Sequence, residues 1–223
     1  MKANDKIQKT GEVKGFFDSY ADTFSAIYQP EKKDVISRLL DSTLRRSMFE
    51  RMEYTAKIIG ESDFKSIIDV GCGPGWYDVL LAKTNAVRIT GIDIAPNMIE
   101  LAEKQARENK LKGTCDFICG DILDMQSQKK YDASISIGVF EYFDAIDEIL
   151  LKLTEITNEM IIFSLPVKYH WLTPQRFVRY KLRRCPLRFY TEQEISATLK
   201  RLNIEDFKIT SFGRDYITTI NLK

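Results

Sequence analysis

Three glycines at alternate positions, Gly71, Gly73 and Gly75, follow directly on the apolar run Ile67-Ile68-Asp69-Val70, with Cys72 and Pro74 between them. Glycine has no Cβ, so such a loop takes positive φ and lets a bound molecule approach the backbone closely. A helix opening straight after it adds unpaired N–H groups at the same spot. The spacing points to a nucleotide-like cofactor and argues against a dinucleotide, because the G-x-G-x-x-G/A pattern counted from Gly71 needs a small residue at position 76, where Trp76 stands. Two acids close later apolar runs. Asp93 ends Val87 to Asp93, where its carboxylate can accept both hydroxyls of a ribose, and Asp121 follows Cys115 to Cys119, where it can accept from an adenine amino group. Ile94, Met98 and Ile122 would sandwich the purine. After the fourth such run, Ser136-Ile137-Gly138-Val139 offers backbone carbonyls and room for a small reacting group.

The elements that must position these residues alternate regularly. Strand-like runs at Lys65 to Val70, Val87 to Asp93, Cys115 to Cys119, Tyr131 to Ile137 and Met160 to Leu165 are short and rich in Ile, Val or Phe. Helical spacing falls between them at Trp76 to Lys83, at Pro96 to Asn109 with a first-turn proline, and at Ala145 to Thr157. Two further runs, Ile204 to Phe212 and Tyr216 to Leu222, are separated only by a turn around Gly213 and must pair as an antiparallel hairpin. The expected fold is a doubly wound α/β sheet of seven strands, mostly parallel, with an antiparallel C-terminal hairpin. N-terminal helices at Thr10 to Tyr28 and Asp34 to Ile59 precede it. Residues 1–60 read as an N-terminal helical segment, and 61–223 as the ligand-binding domain with a basic insert at 167–189.

Bulk properties narrow the class further. With 223 residues and 44% hydrophobic content, one well-buried core is expected. A net charge of +1 gives no global sign of a nucleic-acid partner. No run approaches the roughly 18 apolar residues of a membrane span, and MKANDKIQKT lacks a signal-peptide core, which predicts a cytoplasmic protein. The four cysteines lack paired spacing; they read as reduced, with no metal site.

These motifs together resemble the class I S-adenosylmethionine-dependent methyltransferases over roughly residues 55–222. The resemblance rests on Asp69-Val70-Gly71-Cys72-Gly73-Pro74-Gly75, on Gly91-Ile92-Asp93-Ile94, on the helix opener Ala95-Pro96-Asn97-Met98, on Asp121, on Tyr131-Asp132-Ala133-Ser134-Ile135-Ser136 and on the terminal hairpin. It implies S-adenosyl-L-methionine as cofactor, with S-adenosyl-L-homocysteine as product. It also implies that the loop backbone holds the methionine part and that Asp69 fixes the loop or the amino group. Tyr20 and Tyr28, with Phe24, stand where such enzymes carry a lid helix, Tyr20 toward the cofactor and Tyr28 toward the acceptor; a helix packed by its aromatic stripe is the alternative.

The acceptor is less legible. Gly138-Val139-Phe140-Glu141-Tyr142 replaces the N/D-P-P-Y signature of enzymes acting on adenine or glutamine amino groups, which argues against nucleic acid. Glu141 or Tyr142 could serve as base or acceptor ligand, or simply open the next helix. The segment Lys168 to Arg188 holds seven basic residues and no acid, leaving the rest of the chain at net −6. Thr173-Pro174 reads as a cap and first-turn proline, after which Arg176, Arg179 and Arg183 share one helical face suited to phosphate or carboxylate. With His170 they form the candidate acceptor site for a small anionic molecule. A solvated basic face is the plain alternative, and peripheral membrane contact is another, because Trp171, Phe177 and Tyr180 interleave with the cations. The leading expectation is a small-molecule O- or N-methyltransferase; an RNA methyltransferase and a non-catalytic cofactor-binding protein are the rivals.

Overall fold

The computed structural model describes residues 11, 14, 15, 35–126, 130–143, 145–171, 173–182 and 187–223, with backbone alone at 35–46 and 179–182. Every apolar run forms a strand: β1 Ser66–Val70, β2 Arg88–Asp93, β3 Thr114–Cys119, β4 Tyr131–Ser136, β5 Thr157–Pro166, β6 Phe207–Phe212 and β7 Asp215–Asn221. They build one sheet in the order β3-β2-β1-β4-β5-β7-β6. The first five strands are parallel, and β7 runs antiparallel to both β5 and β6. This is the doubly wound sheet with a terminal hairpin that the sequence predicts.

Helices α1 Val35–Gly60, α2 Trp76–Thr84, α3 Pro96–Arg107, α4 Asp147–Ile156, α5 Thr173–Leu182 and α6 Glu192–Arg201 cover it, with a 3-10 turn at Phe140–Tyr142. Strand alternation divides the core. Ile67, Ile89, Ile135, Ile162 and Ile217 pack on one face against Ile59 of α1 and Leu81 of α2. Ile68, Val70, Ile92, Ile161 and Phe163 pack on the other against α4 and α6. The bounds of α6, which periodicity leaves open, are set by a capping box: the Thr191 hydroxyl accepts from the Glu194 N–H while the Glu194 carboxylate accepts from the Thr191 N–H.

Two strand starts differ from expectation by more than one residue. β5 begins three residues early, at Thr157, where the Thr157 hydroxyl bonds the Ser134 hydroxyl beneath the sheet. The polar stretch Thr157-Asn158-Glu159 masks that start in an apolar-run reading. β6 begins late, at Phe207, because Ile204 closes the turn after α6, in which Asn203 takes φ 58. Among the described residues, no helix is long and apolar enough to cross a membrane.

The strand order creates one switch point. The chain steps outward from β1 to β3, then returns to the other side of β1 with β4, so the connections leaving β1 and β4 part above their carboxyl ends. Ligands of open α/β sheets bind in that crevice.

Candidate functional site

The glycine loop hangs on β2: the N–H groups of Gly71 and Cys72 donate to the Ile92 carbonyl at 2.7 and 3.2 Å. Gly71 has φ 72, and a Cβ there would stand 2.3 Å from Cγ2 of Val139 in the loop after β4, so only glycine lets the two loops meet. Gly73 and Gly138 border open space instead, where an added Cβ would meet nothing within 4 Å. A cradle therefore opens between the loops of β1 and β4. Gly75, at φ 76, leads into α2, whose start carries no side-chain cap.

Asp93 is brought to this loop. Its Oδ2 accepts from the Gly73 N–H and its Oδ1 from the Ala95 N–H, both at 2.9 Å. A carboxylate offers about four acceptor directions, so bracing the loop and receiving a hydroxyl are compatible. Asp121 lies one strand further out, just past β3, and its Oδ1 accepts from the Leu123 N–H at 3.0 Å, closing a turn. Met98 and Ile122 are buried and back the site, whereas Ile94 is half-buried.

Beneath the loop lies a feature that sequence reading missed. Asp69 and Asp78, on β1 and the first turn of α2, are both buried and interact directly. Burial raises both carboxyls, and each suffers the neighbouring charge of Asp93: Asp78 is pushed up to about 7, and Asp69 well above the usual carboxylate range, with the Asp78 charge adding to its burial. Two carboxyls so placed oppose each other's ionisation. Cys72, buried beside them, is raised for the same reasons and is a poor nucleophile.

The β4 side is anchored from below. The Ser136 hydroxyl donates to the Val70 carbonyl at 2.9 Å, and the Gly138 N–H donates to the Ser164 hydroxyl at 2.8 Å. Phe140 stacks on Phe163 at 4.5 Å between ring centroids, which pulls the 3-10 turn onto the sheet. That turn buries Glu141. Its Oε1 receives the Arg176 guanidinium at 2.7 Å, and Arg176 also reaches Asp215 Oδ1 at 2.8 Å. Arg51 of α1 meets Asp215 Oδ2 at 3.3 Å, and Arg214 approaches the same oxygen at 3.9 Å. Burial opposes the Asp215 charge, but three guanidiniums outweigh it and hold its pKa below the usual range. At Glu141 burial prevails over Arg176 and the pKa is raised.

These contacts revise the expected parts of Glu141 and Arg176. Glu141 has a buried structural partner in place of an open position for a base, and Arg176 turns inward while Val178 and Phe177 of the same helix face solvent. Thr173 also departs from its expected capping role: it lies inside α5, and its hydroxyl donates to the Val167 carbonyl at 2.9 Å. Tyr142 is half-buried, its N–H bonded to the Val139 carbonyl at 3.0 Å. His170 lies outside the ion cluster, on the loop before α5, its ring 5.9 Å from that of Trp171. Tyr20, Tyr28 and Arg183 lie outside the described residues, as does the side chain of Arg179.

A family model described as a methyltransferase domain matches residues 61–183. The malonyl-[acyl-carrier protein] O-methyltransferase of Priestia megaterium is 35% identical over 89 residues, which are 40% of this chain and 31% of that protein. The ubiquinone biosynthesis O-methyltransferase of Rickettsia conorii is 30% identical over 142 residues, 63% of this chain and 46% of the relative. The matched stretches thus span less than half of either relative. Among solved structures, magnesium protoporphyrin IX methyltransferase from Synechocystis PCC 6803 with bound SAH superposes with a TM-score of 0.76 at 19% identity, covering 95% of this chain and 98% of that one.

Proposed function

The chain belongs to the methyltransferase domain family, and on that premise we propose that it transfers a methyl group from S-adenosylmethionine to an anionic oxygen of a small acceptor, releasing S-adenosylhomocysteine. The cradle between Gly73 and Gly138 supports the cofactor, since it is open backbone at the switch point, bordered by the Asp93 carboxylate and the uncapped start of α2. Asp93 holds the ribose hydroxyls, Asp121 and Ile94 lie toward the base, and the loop N–H groups meet the methionine end. The bound sulfonium supplies a methyl carbon already activated for displacement. The residues then align donor and acceptor and exclude water, a contribution of about 7 to 11 kcal/mol when the geometry is near attack.

One observation carries the acceptor class. Arg51, Arg176 and Arg214 gather around Glu141 and Asp215 at the carboxyl edge of the sheet, an excess of one positive charge on the acceptor side. That field favours an anion. With Glu141 committed to Arg176, an acceptor that arrives ionised, such as a carboxylate, needs no proton removed before it attacks. The relatives named O-methyltransferases support oxygen as the attacking atom. Free thiols at Cys72, Cys115 and Cys119 suit a reducing, cytoplasmic setting.

The test is turnover of methyl-labelled S-adenosylmethionine against matched sets of carboxylates, phenols and amines. Carboxylate methylation yields an ester that releases labelled methanol in mild base. Label retained after base treatment, on a phenol or an amine, would replace the carboxylate reading while leaving the methyltransferase intact.

A further inference from the structure

One exposed surface lies outside the cradle and the ion cluster. Immediately after β5, at the ligand edge of the sheet, Tyr169 is 81% and Trp171 75% exposed, and Phe177 of α5 is 48% exposed. With Phe189, Lys168 and Arg188 they line an open groove of about 630 Å³. Large aromatic side chains clustered in water mark a surface that meets something apolar. Their neighbours are cations. Lys168 lies 5.8 Å over the Tyr169 ring and pairs with Glu194 at 2.9 Å, while the Arg188 guanidinium lies 5.3 Å over Tyr190. Lys168 and Arg188 border the groove, whereas Arg176 of the same stretch turns inward to the ion cluster.

Aromatic rings with a polar edge settle at the boundary between hydrocarbon and water, and basic segments are drawn to anionic headgroups. We propose that this face docks the enzyme on an anionic bilayer, with Tyr169, Trp171 and Phe177 entering the headgroup region and Lys168 and Arg188 meeting lipid phosphates. The groove opens on the same sheet edge as Gly138 and the glycine loop. Docking there turns the acceptor side toward the bilayer, so an amphipathic acceptor reaches the site from the lipid. The docking rests on surface chemistry alone and stands whichever acceptor is methylated.

The full chain is sedimented with vesicles of phosphatidylcholine alone and of phosphatidylcholine containing one-third phosphatidylglycerol. About tenfold tighter binding to the anionic vesicles is expected, weakening as salt screens the attraction. Trp171→Ala with Phe177→Ala should abolish most of it while leaving cofactor binding by calorimetry unchanged. The chain has two tryptophans, Trp76 and Trp171. A blue shift of fluorescence on anionic vesicles that disappears in Trp171→Phe reports insertion without depending on the double variant. No sedimentation, equal sedimentation with both vesicle types, or undiminished binding by the double variant each overturns the proposal. So does tighter binding to polyuridylate than to the anionic vesicles, which would assign the face to nucleic acid.

Discussion

Two carboxyls, Asp69 and Asp78, lie together out of water beneath the glycine loop. Asp78, raised to about 7 by burial, keeps its proton in the folded chain at pH values where the unfolded chain, near 3.8, has lost it. Folding therefore takes up a proton across that window, and this pair's contribution falls as pH rises from about 4 through about 7, by at most about 1.4 kcal/mol per pH unit for one proton. Asp69, also raised by burial and by the Asp78 charge, adds to the decline in the same direction. Asp78→Asn keeps the shape and removes one of the two titrating groups. Urea unfolding at pH 5, 6, 7 and 8 should show a flatter stability profile for this variant than for the parent; parallel profiles would mean that the two acids titrate independently of folding. Asp69 was legible because it ends a strand before a glycine loop. Asp78 was not, since an acid in the first turn of a helix is ordinarily explained by the helix dipole, and only the close approach of Gly91, where an added Cβ would lie 2.9 Å from Asp78 Oδ1, reveals that this turn is pressed into the sheet.

At the scale of elements, Arg176 fastens α5 to the 3-10 turn and to β7, and Arg51 fastens α1 to the same aspartate. The cluster joins the insert to the rest of the fold through charges, while Phe177 and Val178 face outward. Arg176→Ala leaves Glu141 short of its partner in a buried site, a loss expected to cost about 3 to 5 kcal/mol. Glu141→Gln retains a hydrogen-bonding oxygen and leaves Arg176 on Asp215, so a smaller loss of about 1 to 3 kcal/mol is expected. Chemical denaturation of both variants checks the order, and equal stability to the parent for Arg176→Ala would dismiss the clamp. The strands and most helices were legible because apolar runs and their period are local properties of the chain. The clamp was not, because its members come from four separate elements, and the 100° spacing of Arg176, Arg179 and Arg183 shows that they share a face without showing which buried acids draw the first of them inward.

The site exists only in the assembled molecule, for its parts leave the ends of β1, β2 and β4 and meet through tertiary contacts such as Gly71 against Val139. S-adenosylmethionine should therefore bind the native and not the unfolded chain, and at a hundred times its dissociation constant it should stabilise folding by about 2.7 kcal/mol. For a chain of this size that corresponds to a rise in Tm of about 5 to 11 °C. Asp93→Ala separates two duties. Without cofactor it should melt lower, because the Gly73 and Ala95 N–H groups lose their acceptor. With cofactor it loses hydrogen bonds to a charged group as well, about 1.5 to 3 kcal/mol of affinity. At the same cofactor concentration the ligand-induced stabilisation then shrinks to about 1.3 kcal/mol or less. The quantity to compare is the shift each protein shows on adding cofactor, since absolute melting temperatures mix the two duties. A full-sized shift in a lower-melting Asp93→Ala would leave Asp93 as a brace for the loop and take the ribose away from it.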